Sequence, residues 1–216
     1  MIKMRVIETN DGIQNEITVE SFDVFARGMR DKGWNGVDEM IASGIKGGDV
    51  LELGPGPGYV GLELVQKIRA KSLTGCEISP AMLHLARKNA AEYNIPAQYV
   101  LGNCMKMPFS DESFDCVISN GSLHEWENPV ETFEEIYRVL RPGGRYCITD
   151  LRRDVNTLKK VLVYYSTRPK EIRQGLITSL NAAYTVSEIT ELLHHSNLRN
   201  AKVTTDFFGL CISGEK

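Results

Sequence analysis

Four glycines in one short run are the residues of this chain best placed to do chemistry. In Val50-Leu51-Glu52-Leu53-Gly54-Pro55-Gly56-Pro57-Gly58-Tyr59-Val60-Gly61, an apolar stretch carrying one acid runs into Gly54, Gly56, Gly58 and Gly61. The spacing then turns helical through Val60, Leu62, Leu64, Val65 and Ile68. Glycine has no Cβ, so the backbone can turn tightly and let a ligand approach its N–H groups. A strand, a glycine turn and a helix start bring those donors and a positive dipole end together. The unit reads as the holder of a nucleotide-like cofactor.

The glycines alone leave the cofactor open. Gly56, Gly58 and Gly61 satisfy the G-x-G-x-x-G spacing of dinucleotide-binding proteins. Gly54, Gly56 and Gly58, with Glu52 two residues ahead, equally satisfy an acid-x-G-x-G-x-G pattern. A turn that needs glycine only for its geometry is the plain alternative. An acid about 20 residues on, able to accept from both ribose hydroxyls, suits either cofactor. Glu77 stands there, closing Leu73-Thr74-Gly75-Cys76-Glu77, with Ser79-Pro80 as the start signal of a helix.

Three further segments follow in order: Gly102-Asn103-Cys104-Met105-Lys106-Met107-Pro108-Phe109, Ser113-Phe114-Asp115-Cys116-Val117-Ile118-Ser119-Asn120, and Leu140-Arg141-Pro142-Gly143-Gly144-Arg145. With the glycine run and Glu77 they resemble the class I S-adenosylmethionine (SAM) methyltransferases, above all the small-molecule branch that includes ubiquinone and menaquinone biosynthesis enzymes. The resemblance covers Gly48 to Asp150, about half of the chain. It implies SAM as cofactor, S-adenosylhomocysteine as product and a small-molecule methyl acceptor. The cofactor-binding residues it implies are Glu52, Gly54, Pro55, Gly56, Gly58, Tyr59, Glu77, Ile78, Met82, Asn103, Cys104, Met105, Ser119 and Asn120. Asn103 departs from the family's usual aspartate on the adenine amino group, although an amide oxygen can also accept there. Cys104 stands where small residues meet the adenine, and Ile78 and Met82 are placed to sandwich it.

The elements that must position these residues alternate. Strands are expected at 49–53, 72–77, 97–101, 114–119 and 144–150, with helices near 59–70, 80–93 and 129–139. That order implies parallel pairing with right-handed crossovers. Asn200 to Asp206 and Phe207 to Ser213 read as two last strands, and the resemblance makes them an antiparallel hairpin completing a seven-stranded, doubly wound, Rossmann-like sheet. Ligands of such sheets sit outside the carboxyl ends of the strands.

Two regions lie outside this scaffold. In residues 1–47, Asn10-Asp11-Gly12 is a hairpin signal flanked by Met4–Glu8 and Ile13–Val19, followed by helical spacing at Phe22, Phe25, Ala26 and Met29 and then Trp34. This segment is expected as an N-terminal cap, acting either as cover for the sheet edge or as a lid over the cofactor. Residues 48–216 form the SAM-binding domain. Within it, 151–184 is an insertion near the acceptor pocket, ended by the capping box Thr185-Val186-Ser187-Glu188.

His124, in Ser119-Asn120-Gly121-Ser122-Leu123-His124, is the histidine at a strand's functional end. It is the catalytic candidate, as a general acid–base group or as a pocket-lining residue. His84, His194 and His195 fall on helices. Asp150-Leu151-Arg152-Arg153-Asp154 reads either as a substrate anchor through arginine or as a solvated loop with internal ion pairs. The cysteines Cys76, Cys104, Cys116, Cys147 and Cys211 show no metal or redox spacing along the chain, so reduced thiols and no bound metal are expected.

Composition bounds the rest. The 216 residues carry a net charge of −3, with 42% hydrophobic and 25% charged residues. That is ordinary for a soluble domain and gives no general attraction to nucleic acid. No apolar run spans a membrane and no signal sequence is evident, so a cytoplasmic protein is expected. The resemblance allows a homodimer. Because the sulfonium already activates the methyl carbon, methyl transfer by in-line displacement asks the enzyme mainly for proximity and orientation. Two other classes stay open: a non-catalytic SAM-binding regulator, and an NAD-type oxidoreductase, against which the prolines in the turn and the later motifs argue.

Overall fold

The computed structural model describes residues 4–7 and 16–216. In chain order these form α1 (Glu16–Asp31), α2 (Val37–Ala42), β1 (Asp49–Leu53), α3 (Tyr59–Ile68), β2 (Ser72–Glu77), α4 (Pro80–Glu92), β3 (Ala97–Leu101) and β4 (Phe114–Asn120). They continue with α5 (Pro129–Val139), β5 (Leu140–Leu151), α6 (Thr157–Ser166), α7 (Arg173–Ala182), α8 (Val186–His194), β6 (Lys202–Thr205) and β7 (Gly209–Glu215). Short 3₁₀ turns lie at Leu123–Glu125 and Lys170–Ile172.

One seven-stranded sheet runs in the order β3-β2-β1-β4-β5-β7-β6. The first five strands are parallel, and β7 is antiparallel to both β5 and β6. The chain starts in the middle at β1, winds outward to β3, then returns to β4. The carboxyl ends of β1 and β4 are thus neighbours at the switch point, with Leu53 paired to both Cys76 and Ser119. This is the doubly wound sheet with a C-terminal antiparallel pair expected above.

Alternation along the strands feeds two cores. Leu51, Leu53, Val117, Phe133, Ile136, Tyr146 and Ile148 pack on one face; Met40, Val50, Leu62, Leu64, Ile118 and Cys147 pack on the other. Helix starts follow the capping chemistry: Ser79 accepts from the Met82 N–H at 3.2 Å with Pro80 in the first turn, and Thr185 and Glu188 form a reciprocal capping box.

Two differences from the sequence reading have local causes. Strand β5 begins at Leu140, because Arg141 to Gly144 bulge against β4, where the register jumps from Phe114↔Leu140 to Cys116↔Arg145. Gly143 turns through φ +75° in this bulge. The second strand of the N-terminal hairpin is corrected: from Glu16 the chain is helical, so Ile17, Thr18 and Val19 belong to α1. The Asn10-Asp11-Gly12 turn lies outside the described residues.

Helix α1 is fastened at the start of α3. The Tyr59 hydroxyl donates to Asp23 Oδ1 at 2.8 Å, and Arg27 Nε donates to the Tyr59 oxygen at 3.2 Å while pairing with Asp23. Upstream, Val6 N–H donates to Asn181 O, and Arg5 donates to Ala182 O and His124 O. Residues 5 and 6 thus sit against α7 and the His124 turn, and α1 against the start of α3. In the insertion, α6 buries none of its residues and exposes Leu158, Val161, Leu162 and Tyr165 along one stripe.

Candidate functional site

The turn after β1 is held from beneath by two buried polar residues. Glu52 Oε1 accepts from the Gly61 N–H at 3.0 Å, and Asn89 Nδ2 donates to Pro57 O at 2.9 Å. Burial pushes the Glu52 carboxyl up to about 8, and its Oε2 has no partner among the described residues. Glu52 is thus a loop-positioning group that faces the helix start.

Each glycine of the run has its own reason to lack a side chain. A Cβ on Gly54 would meet Ser122 Cβ at 2.7 Å, one on Gly58 would meet the Tyr99 hydroxyl at 2.7 Å, and one on Gly61 would strike Glu52 Oε2. These three are packing positions. Gly56 differs, because its nearest neighbour is Phe22 of α1 at 3.5 Å, an ordinary contact. It turns through φ +52° and points its N–H at Glu77 Oε2, 3.0 Å away. Gly56 is therefore the glycine of the run whose Cβ position is not filled by packing, and Phe22 roofs it.

Glu77, at the end of β2, accepts from Gly56 N–H with one oxygen and from Ser79 N–H with the other at 2.8 Å. Burial raises its pKa, and these backbone bonds oppose the rise. One carboxylate thus bridges the tips of β1 and β2. Ile78 beside it is 38% exposed on the rim.

Across the switch point, Ser119 Oγ donates to Leu53 O at 3.0 Å and lies 2.7 Å from Ser122 Oγ, which Trp126 Nε1 also reaches at 3.2 Å. This staple sets the Leu123–Glu125 turn against Gly54. His124 is carried on that turn, buried, with Nδ1 2.9 Å from both oxygens of Asp150 at the end of β5. Asp150 also accepts from the His124 backbone N–H at 2.8 Å.

Residues 51–148 match a methyltransferase domain model. Over those residues, a little under half of the chain, it is similar to the methyltransferase domain family. Curated relatives include an arsenite methyltransferase of Halobacterium salinarum, 33% identical over 54% of this chain and 30% of its own length. Another is a demethylmenaquinone methyltransferase of Deinococcus radiodurans, 28% identical over 56% of this chain and 50% of its own. The chain thus spans half or less of the length of these relatives. Among solved structures, a SAM-dependent methyltransferase from Aquifex aeolicus superposes with a TM-score of 0.70, covering 94% of this chain and 99% of that one at 16% identity. That likeness shows the fold.

Within the methyltransferase domain, several expected cofactor contacts hold the scaffold in this conformation. Ser119 is fully buried as the staple just described, and Met82 is buried in the first turn of α4. Pro55 packs against Gly75, and Tyr59 anchors α1. Asn103 Oδ1 accepts from Met105 N–H at 2.9 Å, closing its own loop, and Met105 Sδ accepts from Asn128 N–H. Cys104 Sγ lies 3.6 Å from Thr132 Oγ1, and burial pushes this thiol up to about 11, so it is inert. Asn120 Oδ1 accepts from Thr149 Oγ1 at 2.7 Å beneath Gly36, at the start of α2.

The charged loop after β5 divides. Arg152 pairs with Asp154 at 3.2 Å inside the loop, while buried Arg153 reaches Ala183 O and Glu188 in the capping box. Four residues escaped the sequence reading as site-building: Asp150, Ser122, Asn89 and Asp23. Asp150 carried one usable signal, its place as the acid ending a buried strand. Among the described residues no helix is long and apolar enough to cross a membrane, and no three His, Cys, Asp or Glu side chains form a metal site.

Proposed function

We propose that the protein is a SAM-dependent methyltransferase acting on a small-molecule acceptor, with Glu77 and the Gly56 edge holding the cofactor. The carrying observation is the single carboxylate of Glu77 set against the one glycine of the run whose face is not filled by packing. An acid in that place can exchange its two backbone donors for the two hydroxyls of a ribose. When bound, the cofactor supplies an activated methyl group on a sulfonium. The chain's own residues then have three tasks.

Glu77 fixes the ribose, and the second lone pair of Asn103 Oδ1 accepts from the adenine amino group beside the Ile78 rim. Phe22 and the rest of α1 exclude water above Gly56, which makes residues 1–47 a lid. His124 receives the proton of an acceptor hydroxyl, thiol or acidic carbon. For that task Asp150 accepts from Nδ1–H, which sets Nε2 as the basic nitrogen. Asp150 is a positioning residue here. The chain's similarity to an arsenite methyltransferase and a demethylmenaquinone methyltransferase favours a small acceptor over a macromolecule.

Calorimetry with SAM, S-adenosylhomocysteine and NAD tests the cofactor, and transfer of labelled methyl from SAM into a metabolite extract tests the reaction. Binding of SAM without any labelled product would leave a non-catalytic SAM-binding regulator. Tight NAD binding without SAM binding would overturn the reading.

A further inference from the structure

Cys147 and Cys211 are 64 residues apart in the chain, yet their sulfurs lie 3.5 Å from one another. The cause is strand register. Antiparallel β5 and β7 place Thr149 opposite Cys211 and Cys147 opposite Ser213, so the two cysteines share one face at diagonal positions. Both are free thiols, Cys147 fully buried and Cys211 half-buried.

The two sulfurs are not equivalent. Cys147 is fully buried, whereas half-buried Cys211 is paired with Thr204 of β6 and is the more accessible sulfur. Their mutual contact lowers the Cys211 thiol below its ordinary range and, together with burial, raises Cys147. The other three thiols are raised by burial: Cys76 up to about 12, Cys104 up to about 11, and Cys116 as well. Two adjacent thiols, with the more accessible member as nucleophile, are the arrangement of a reversible redox pair. The sulfurs need to close by only about 1.5 Å to reach bonding distance.

We propose that Cys147 and Cys211 form a hydroperoxide-responsive dithiol, with Cys211 oxidised first and Cys147 resolving it into a disulfide between β5 and β7. In the first step the Cys211 sulfur attacks the terminal peroxide oxygen. The O–O bond breaks, the sulfur becomes a sulfenic acid and the peroxide's other half leaves as an alcohol or water. In the second step the Cys147 sulfur attacks the Cys211 sulfur. The S–O bond breaks, and hydroxide leaves as water with the proton of Cys147. The peroxide gains two electrons and the dithiol loses them, so a thiol reductant reverses the change.

The test is to treat the reduced, folded protein with a modest excess of hydrogen peroxide, block remaining thiols and map the peptides by mass spectrometry. The expected product is lighter by about 2 Da and carries one cross-link, between the peptides of Cys147 and Cys211. Cys147→Ala should stop at a dimedone-reactive sulfenic acid on Cys211, and Cys211→Ser should leave Cys147 unoxidised. Circular dichroism checks that both variants are folded. No cross-link in the wild type, or a cross-link involving Cys76, Cys104 or Cys116, overturns the pairing. Rapid oxidation of Cys147 in Cys211→Ser overturns the order of attack.

Discussion

Asp150 grips His124 twice, accepting from its backbone N–H at 2.8 Å and meeting its ring Nδ1 at 2.9 Å. One carboxylate at the end of β5 therefore sets both the position of the turn after β4 and the tautomer of the imidazole it carries. Such a double hold separates two tests that usually coincide.

His124→Ala should lower turnover by about 10²–10⁴ with S-adenosylhomocysteine affinity unchanged. Asp150→Asn should keep the backbone bond through the amide oxygen while turning an N–H₂ toward Nδ1, which moves the ring proton to Nε2. Its kcat should fall with little change in KM, and the acid limb of the pH–rate profile should move. An unchanged kcat with a raised KM in both variants would reduce His124 to a pocket wall.

Glu77→Ala should weaken S-adenosylhomocysteine binding by at least about tenfold, since two charge-assisted bonds of about 1.5–3 kcal/mol each are lost. Calorimetry measures this, with circular dichroism as the check on folding. Undiminished affinity would remove Glu77 from the ribose.

Gly56→Val sets a branched side chain at φ +52°, against the ligand edge and 3.5 Å from Phe22. A folded protein without measurable SAM binding is expected.

Glu52 predicts a slope of stability with pH. Its folded pKa of about 8 lies above the ordinary 4.5, so the folded state holds the proton more tightly than the unfolded chain. Stability is full below about pH 4.5 and falls as pH rises through 8, by up to roughly 5 kcal/mol. Glu52→Gln stays neutral and still accepts from Gly61. Chemical denaturation across this range should show the slope flattened in the variant.

Amides of Glu16–Asp31 should exchange more slowly once S-adenosylhomocysteine is bound, as the lid reading requires. Tyr59→Phe should speed their exchange without ligand, because it removes the bond to Asp23. Equal exchange with and without ligand would leave α1 as edge cover.

What could be read from the chain was what local chemistry specifies. Apolar runs closed by Gly54, Glu77 and Asn120 marked the parallel strands, and Ser79-Pro80 and Thr185–Glu188 marked helix starts within a residue. The β-branched run Ile17-Thr18-Val19 misled, because it suits a strand by type, whereas the helix read at Phe22, Phe25, Ala26 and Met29 extends back through it to Glu16. The pairing of Asp150 with His124, and of Cys147 with Cys211, depends on which strands become neighbours. No spacing along the chain carries that information. The glycines were visible from the start, but only the packed structure separates Gly56 from the three that serve the core.

Strand β7 comes last of all the elements yet lies inside the sheet, joined to β5 through seven residue pairs and to β6 through four. Synthesis order and assembly order are therefore at odds. While the ribosome is still making residues 209–215, β5 presents an open edge and β6 has no neighbour, although β1 to β4 are already able to pair. A nascent chain at that stage is exposed to strand pairing with other chains, and its half-built sheet is a natural client for a chaperone.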